Sequence, residues 1–233
     1  METIHIQSFV TAPPDAVWRQ LLGRPDIVLD ALPVAAWPDQ REERSPARLL
    51  VRWPFGSGAA QTSVEITLAQ VSGGTRVDLR HEGWQEGSAS QDILAGHFAG
   101  WLQALAALGL LVESGKDARA SAASLAGRER YFASAEVPAG ADAVFRTLTD
   151  PAVLPRWSEG ALENGELVES IEARYLRWKL PAADGATAPR ELVIILRHTP
   201  RGTHCALAEY GVADRSASSR WPKMLERLSW FLR

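Results

Sequence analysis

Apolar and polar residues alternate with period two in two separate stretches of the chain. In the first, Ala47, Leu49, Val51 and Trp53 share one face and Arg48 and Arg52 take the other; Val64, Ile66 and Leu68 then alternate with Ser63, Glu65 and Thr67. After Ser72-Gly73-Gly74, a turn, Thr75, Val77 and Leu79 face one side while Arg76, Asp78 and Arg80 face the opposite one. In the second stretch Leu176, Trp178 and Leu180 alternate with Tyr175, Arg177 and Lys179, and Leu192, Ile194, Leu196 and then Thr203, Cys205, Leu207 continue the pattern. Such alternation predicts antiparallel strands with one buried and one wet face. Two further strands are expected at 3–11 and 129–137.

Helical spacing accounts for the segments between. Pro13-Pro14-Asp15 opens a helix that runs through Leu22, with proline in the first turn where its missing N–H costs nothing. Short helices are expected near 25–32 and 151–159. Leu94, Phe98, Trp101, Leu105, Leu108 and Val112 recur at three and four, so the longest helix carries a stripe that must be buried. Trp221, Leu225, Leu228 and Leu232 repeat the pattern over 219–233 in a shorter helix.

The order of elements repeats because the sequence does. Val10, Ala12, Asp15, Ala16, Val17, Arg19 and Leu21 recur as Val137, Ala139, Asp142, Ala143, Val144, Arg146 and Leu148, each at an offset of 127. Gly74-Thr75 and Gly83 recur as Gly202-Thr203 and Gly211 at an offset of 128. Two distant blocks keeping nearly one spacing imply a tandem duplication. Between them, Ser114 to Arg128 is small and polar with no apolar period, which reads as a linker. The expected organisation is therefore residues 1–113, a linker at 114–128, and residues 129–233. A length of 233 residues accommodates two compact domains.

Charge and composition mainly exclude. With 25 Lys+Arg against 28 Asp+Glu the net charge is -3, and no basic run is present, so nucleic acid is not an expected partner. The longest apolar stretch, Ala104 to Val112, is too short to span a bilayer, and the N-terminus lacks the basic start and apolar run of a signal peptide. Cys205 is the single cysteine, so neither an intrachain disulfide nor a Cys-rich zinc site can form, and a cytoplasmic location is expected. His5, His81, His97, His198 and His204 show no metal-ligand spacing, and no phosphate-binding or nucleophile motif is present; neither metal nor cofactor is expected.

The residues that carry a wider resemblance are Ala12-Pro13-Pro14-Asp15-Ala16-Val17-Trp18, Gly74-Thr75 with His81-Glu82-Gly83-Trp84, and Gly100-Trp101-Leu102-Gln103-Ala104-Leu105. Residues 1–113 resemble the START-like (SRPBCC) superfamily, specifically the bacterial relatives of the activator of Hsp90 ATPase C-terminal domain. The second copy is similar to the broader superfamily through Ala139 to Phe145 and Pro151-Ala152-Val153-Leu154-Pro155-Arg156-Trp157. The resemblance implies an α+β fold of two tandem helix-grip domains, each a curved antiparallel sheet wrapped around a C-terminal helix. It also implies binding of a small apolar or amphipathic molecule without catalysis, mainly in the N-terminal copy. Two alternatives stay open: an enzyme similar to polyketide aromatase/cyclases with His81 as acid or base, and an interaction module with a protein partner, similar to the Hsp90 activator.

Candidate binding residues follow from the inward faces. His81 continues the face of Thr75, Val77 and Leu79, and the same slot in the second copy holds Glu209. A titratable group on a buried face has a shifted pKa that can serve function, although a strand-end residue reaching backbone or solvent fits the same pattern. Trp53, Ile66 and His81 on the sheet and Phe98, Trp101 and Leu105 on the long helix are expected to wall a pocket in the first copy. In the second copy the candidates are Trp157, Trp178 and Glu209. His97 and Trp101, four apart, are expected to form a surface pair.

Overall fold

In the computed structural model the chain divides into two compact units, Met1–Asp117 and Ala118–Arg233. The described residues are 3–29, 41–54, 61–84, 91–118, 130–160, 162, 164–182, 189–211 and 217–233. Most of the expected linker, 119–128, thus lies outside the described residues.

The N-terminal unit runs β1 (Ile4–Val10), α1 (Pro14–Gly23), α2 (Pro25–Leu29), β2 (Arg41–Arg44), β3 (Arg48–Pro54), β4 (Gln61–Val71), β5 (Gly74–Glu82) and α3 (Gln91–Ser114). The C-terminal unit repeats it as β6 (Arg130–Val137), α4 (Ala141–Thr149), α5 (Pro155–Ser158), β7 (Glu166–Ile171), β8 (Tyr175–Leu180), β9 (Arg190–Thr199), β10 (Gly202–Tyr210) and α6 (Ala217–Phe231). Strand order is β1-β5-β4-β3-β2 in one sheet and β6-β10-β9-β8-β7 in the other, all antiparallel. Each last helix packs against the first strand of its own sheet, so both units have the helix-grip fold.

The duplicated Gly-Thr pair explains why this spacing repeats. A Cβ on Gly74 would lie 2.2 Å from the Val10 carbonyl oxygen, and a Cβ on Gly202 would lie 2.2 Å from that of Val137. Only glycine lets the strand start this close to its neighbour. The following hydroxyls donate to equivalent carbonyls, Thr75 to Ala12 at 2.6 Å and Thr203 to Ala139 at 2.7 Å. Each pair ties the start of the fifth strand of its unit to the turn after the first.

The first core is built as the alternation predicts. Ile4, Ile6 and Val10, Leu49 and Val51, Val64, Ile66 and Leu68, and Val77 and Leu79 pack with Trp101, Ala104, Leu105 and Leu108 of α3. The helix from Ile93 to Ser114 is long and apolar enough to cross a bilayer by length and composition, which the apolar run 104–112 understated, but this stripe lies in the core. In the second unit one expectation fails. Leu192, Val193, Ile194, Ile195 and Leu196 are all buried, as are Cys205, Ala206, Leu207 and Ala208, so β9 and β10 have no wet face over these residues. These runs are continuously apolar and hold no polar residue at the positions a wet face would need.

Candidate functional site

His81 sits near the end of β5, the strand paired with β1 on one side and β4 on the other; its register partners are Ile4 and Val64. Strand alternation turns its neighbours Arg80 and Glu82 outward and His81 inward, where it is 3% exposed. The Trp101 indole N–H donates to His81 Nδ1 at 3.1 Å, and His81 Nε2 lies 2.9 Å from Thr62 Oγ1. An indole can only donate, so Nδ1 must be the acceptor and the neutral ring carries its proton on Nε2, directed at the threonine oxygen. Burial, with a smaller contribution from His97, pushes the His81 pKa down to about 3.

Aromatic rings enclose this imidazole. The Trp84 ring lies 4.4 Å from it and the His97 ring 5.5 Å away, edge-on, while Trp84 and His97 are 4.9 Å apart. The Trp84 indole also donates to the His81 carbonyl at 3.3 Å. His97 is half-buried at the outer side of the group, and burial lowers its pKa as well.

Two expectations are corrected here. Phe98 is 42% exposed and does not wall the interior. The buried line of α3 runs His97, Trp101, Ala104, Leu108, in steps of four, three and four, so residue 97 rather than 98 continues it toward the helix start. For the same reason His97 is no surface pair with Trp101 but the half-buried outer member of the aromatic group. Ile66 and Leu105 lie in the packed core; the side chain of Trp53 lies outside the described residues.

The second unit builds the same node from different chemistry. Glu209 occupies the register of His81, paired with Tyr131 and Leu192, and is fully buried. Arg190 stands where Thr62 stands, at an offset of 128, and reaches Glu209 Oε1 at 2.6 Å. The last helix again supplies an indole, Trp221, which donates to Glu209 Oε2 at 2.6 Å, and Arg220 adds a contact at 3.2 Å. Trp157 and Trp178 are buried in the core of this unit, and neither indole N–H has a hydrogen-bond partner among the described residues.

Of the residues in these nodes, Thr62, Trp84, His97, Arg190, Arg220 and Trp221 were not singled out as site residues from the sequence. The offset of 128 that maps His81 to Glu209 also maps Thr62 to Arg190, and that signal was present. The convergence of a helix tryptophan on a strand residue was not readable, since it depends on how α3 and α6 lie on their sheets. Among the described residues no group of three or more His, Cys, Asp or Glu side chains could hold a metal.

Residues 39–113 match the family described as Activator of Hsp90 ATPase homolog 1-like protein. Over these residues the N-terminal unit is similar to that family, and to that extent AHSA1-like. Both units have the helix-grip fold, and the AHSA1-like unit is the copy that carries the histidine node. Similar solved structures include DynU16 from the dynemicin biosynthetic locus, at 17% identity over 100% of this chain and 96% of that one, with a TM-score of 0.44. The di-domain ARO/CYC BexL from the BE-7585A biosynthetic pathway is 14% identical over 100% and 99%, with a TM-score of 0.39. CalU16 from Micromonospora echinospora is 23% identical over 47% and 73%, with a TM-score of 0.36. No curated protein matches the chain.

Proposed function

We propose that the AHSA1-like unit binds a small apolar or amphipathic molecule at the aromatic group formed by His81, Trp84, His97 and Trp101, and that it does so without catalysis. The observation that carries this reading is the His81 imidazole, 3% exposed, held neutral by Trp101 and Thr62, and enclosed by aromatic rings of which the outermost, His97, is half-buried. Apolar surroundings with a few fixed polar groups suit recognition of such molecules. Both ring nitrogens of His81 are engaged, so it offers neither a free lone pair nor a loosely held proton, and it serves as a hydrogen-bonding fixture rather than an acid or base. A cytoplasmic setting completes the proposal.

Native mass spectrometry of the freshly purified chain tests it. A discrete small-molecule increment is expected on the parent and is expected to be lost in Trp84→Ala. An increment that survives in Trp84→Ala, or its absence from every preparation, would overturn the assignment.

A second reading, engagement of a protein partner, is favoured by one feature: Ile93 and Phe98 of α3 are 40% and 42% exposed. A pull-down that depends on both residues, with Ile93→Glu and Phe98→Glu abolishing capture, would support it.

A further inference from the structure

We infer that the exposed face of α6 in the second unit is a docking surface for an acidic, amphipathic segment of a protein partner. The inference stands on different residues from the binding reading above and does not depend on it.

The indole that each last helix sends to its node sets the two helices in register: Trp101 and Trp221 correspond, at an offset of 120. The same offset takes the core residues Ala104, Leu105 and Leu108 to Met224, Leu225 and Leu228, which are core residues in turn. On the neighbouring face the copies part. Gln103, Ala106, Ala107 and Leu110 of α3 are spaced by three, one and three, hence share a face, and all four are buried. Their counterparts in α6 are Lys223, Glu226, Arg227 and Trp230; Arg227 is half-buried and the other three are exposed. A face that is buried in one copy is thus bare in the other. Trp230 is 62% exposed, while no other large apolar side chain among the described residues exceeds 42%.

Cations frame that indole. The Arg233 guanidinium lies 4.2 Å from the Trp230 ring centroid, and Arg156 of α5 lies 5.1 Å from the centroid of the adjoining Phe231. Neither ring neutralises the charge it touches, so both arginines can still pair with a carboxylate. Arg227 holds Glu159 at 2.5 Å at the surface, where such a pair contributes little and exchanges for another carboxylate. Among the described residues, Arg156, Lys223, Arg227 and Arg233 stand on this surface against the carboxylates of Glu159 and Glu226. That composition selects the occupant. An apolar partner would strip water from the cations without supplying counter-charges, and the lost hydration would not be recovered. A phosphate backbone or an anionic membrane would press its charges on Glu159 and Glu226 as well, which sit among the cations. A protein segment can place carboxylates at the lysine and arginines and an apolar side chain on Trp230, the arrangement of an interface centred on an aromatic and arginines.

Fluorescence anisotropy with the full chain tests this, using a labelled helical peptide that carries leucines three and four apart on one face and glutamates on the other, and its counterpart with glutamine in place of glutamate. The acidic peptide is expected to bind at least about tenfold more tightly than the neutral one. Trp230→Ala and, separately, the double variant Lys223→Glu with Arg233→Glu should each weaken the acidic peptide at least about tenfold. All three side chains are exposed, so both variants should keep the parent's thermal unfolding curve. Equal affinity for the two peptides, an acidic-peptide affinity that survives either variant, or no binding of the acidic peptide would overturn the inference. Tighter binding to vesicles of phosphatidylserine and phosphatidylcholine, or to single-stranded DNA, than to the acidic peptide would overturn it in favour of a polyanion.

Discussion

Replacing His81 with glutamine should change how stability depends on pH more than it changes stability at neutral pH. Glutamine keeps one acceptor for Trp101 and one donor for Thr62 but cannot titrate, so at pH 7.5 the substitution should cost about 1–2 kcal/mol through imperfect replacement of packing and hydrogen bonds. The parent differs below the histidine range. In the unfolded chain His81 titrates near the ordinary histidine value of 6.5, and in the folded unit it is held down to about 3. The folded state is thus the form that resists protonation, so its stability is complete above 6.5 and is lost as pH falls toward 3. From the two pKa values the loss due to His81 is negligible at pH 7.5, between about 1 and 2 kcal/mol at pH 5.5 and about 3 kcal/mol at pH 4.5. The His81→Gln protein should therefore be the less stable at pH 7.5 and the more stable at pH 4.5, the two curves crossing between about pH 5 and 6. Carboxylate and His204 titrations are common to both proteins and cancel in the difference; His97, also lowered by burial, cancels apart from its weak coupling to His81. Urea unfolding followed through the indole N–H resonances of Trp84 and Trp101 reports this unit alone. Parallel pH dependence in the two proteins, or a folded-state His81 ring titrating between 6 and 7, would refute the buried neutral tautomer.

The remaining predictions concern other parts of the fold. Trp221→Phe should destabilise the second unit by about 1–3 kcal/mol, since it removes a donor from the buried Glu209 carboxylate, whereas Trp178→Phe deletes an indole N–H that has no partner among the described residues and should cost less than about 1 kcal/mol; urea unfolding of each variant compares them. Gly74→Ala and Gly202→Ala should each cost about 3 kcal/mol, because the added methyl overlaps a backbone oxygen that can move only with its strand; a drop below about 1 kcal/mol in thermal or urea unfolding would contradict this. The Cys205 thiol is buried and pushed up to about 12, so it should stay inert to a thiol reagent at pH 8 in the folded chain and react at the unfolded rate in denaturant.

Much of the architecture was legible in the sequence because it rests on periodicities that the backbone itself imposes. Period-two alternation over 47–53, 63–68 and 75–80 assigned β3, β4 and β5 and their inner faces, since successive side chains of a strand point to opposite sides whatever surrounds them. The duplication, carried by Gly74-Thr75 and Gly202-Thr203, announced two copies of one sheet order, because a glycine demanded by backbone crowding must recur wherever that crowding recurs. The inward placement of His81 and Glu209 followed from the same alternation. Tertiary structure decided the rest. Whether residue 97 or 98 of α3 turns inward depends on the helix's rotation on the sheet, which spacings of three and four leave open to within one residue. The pairing of Trp101 with His81 and of Trp221 with Glu209 depends on contacts across 20 and 12 residues between a strand and a helix that no local pattern encodes. The protonation state of His81 followed only once its neighbours were known, because a histidine's charge is set by desolvation and by what its two nitrogens touch, and both are properties of the packed fold.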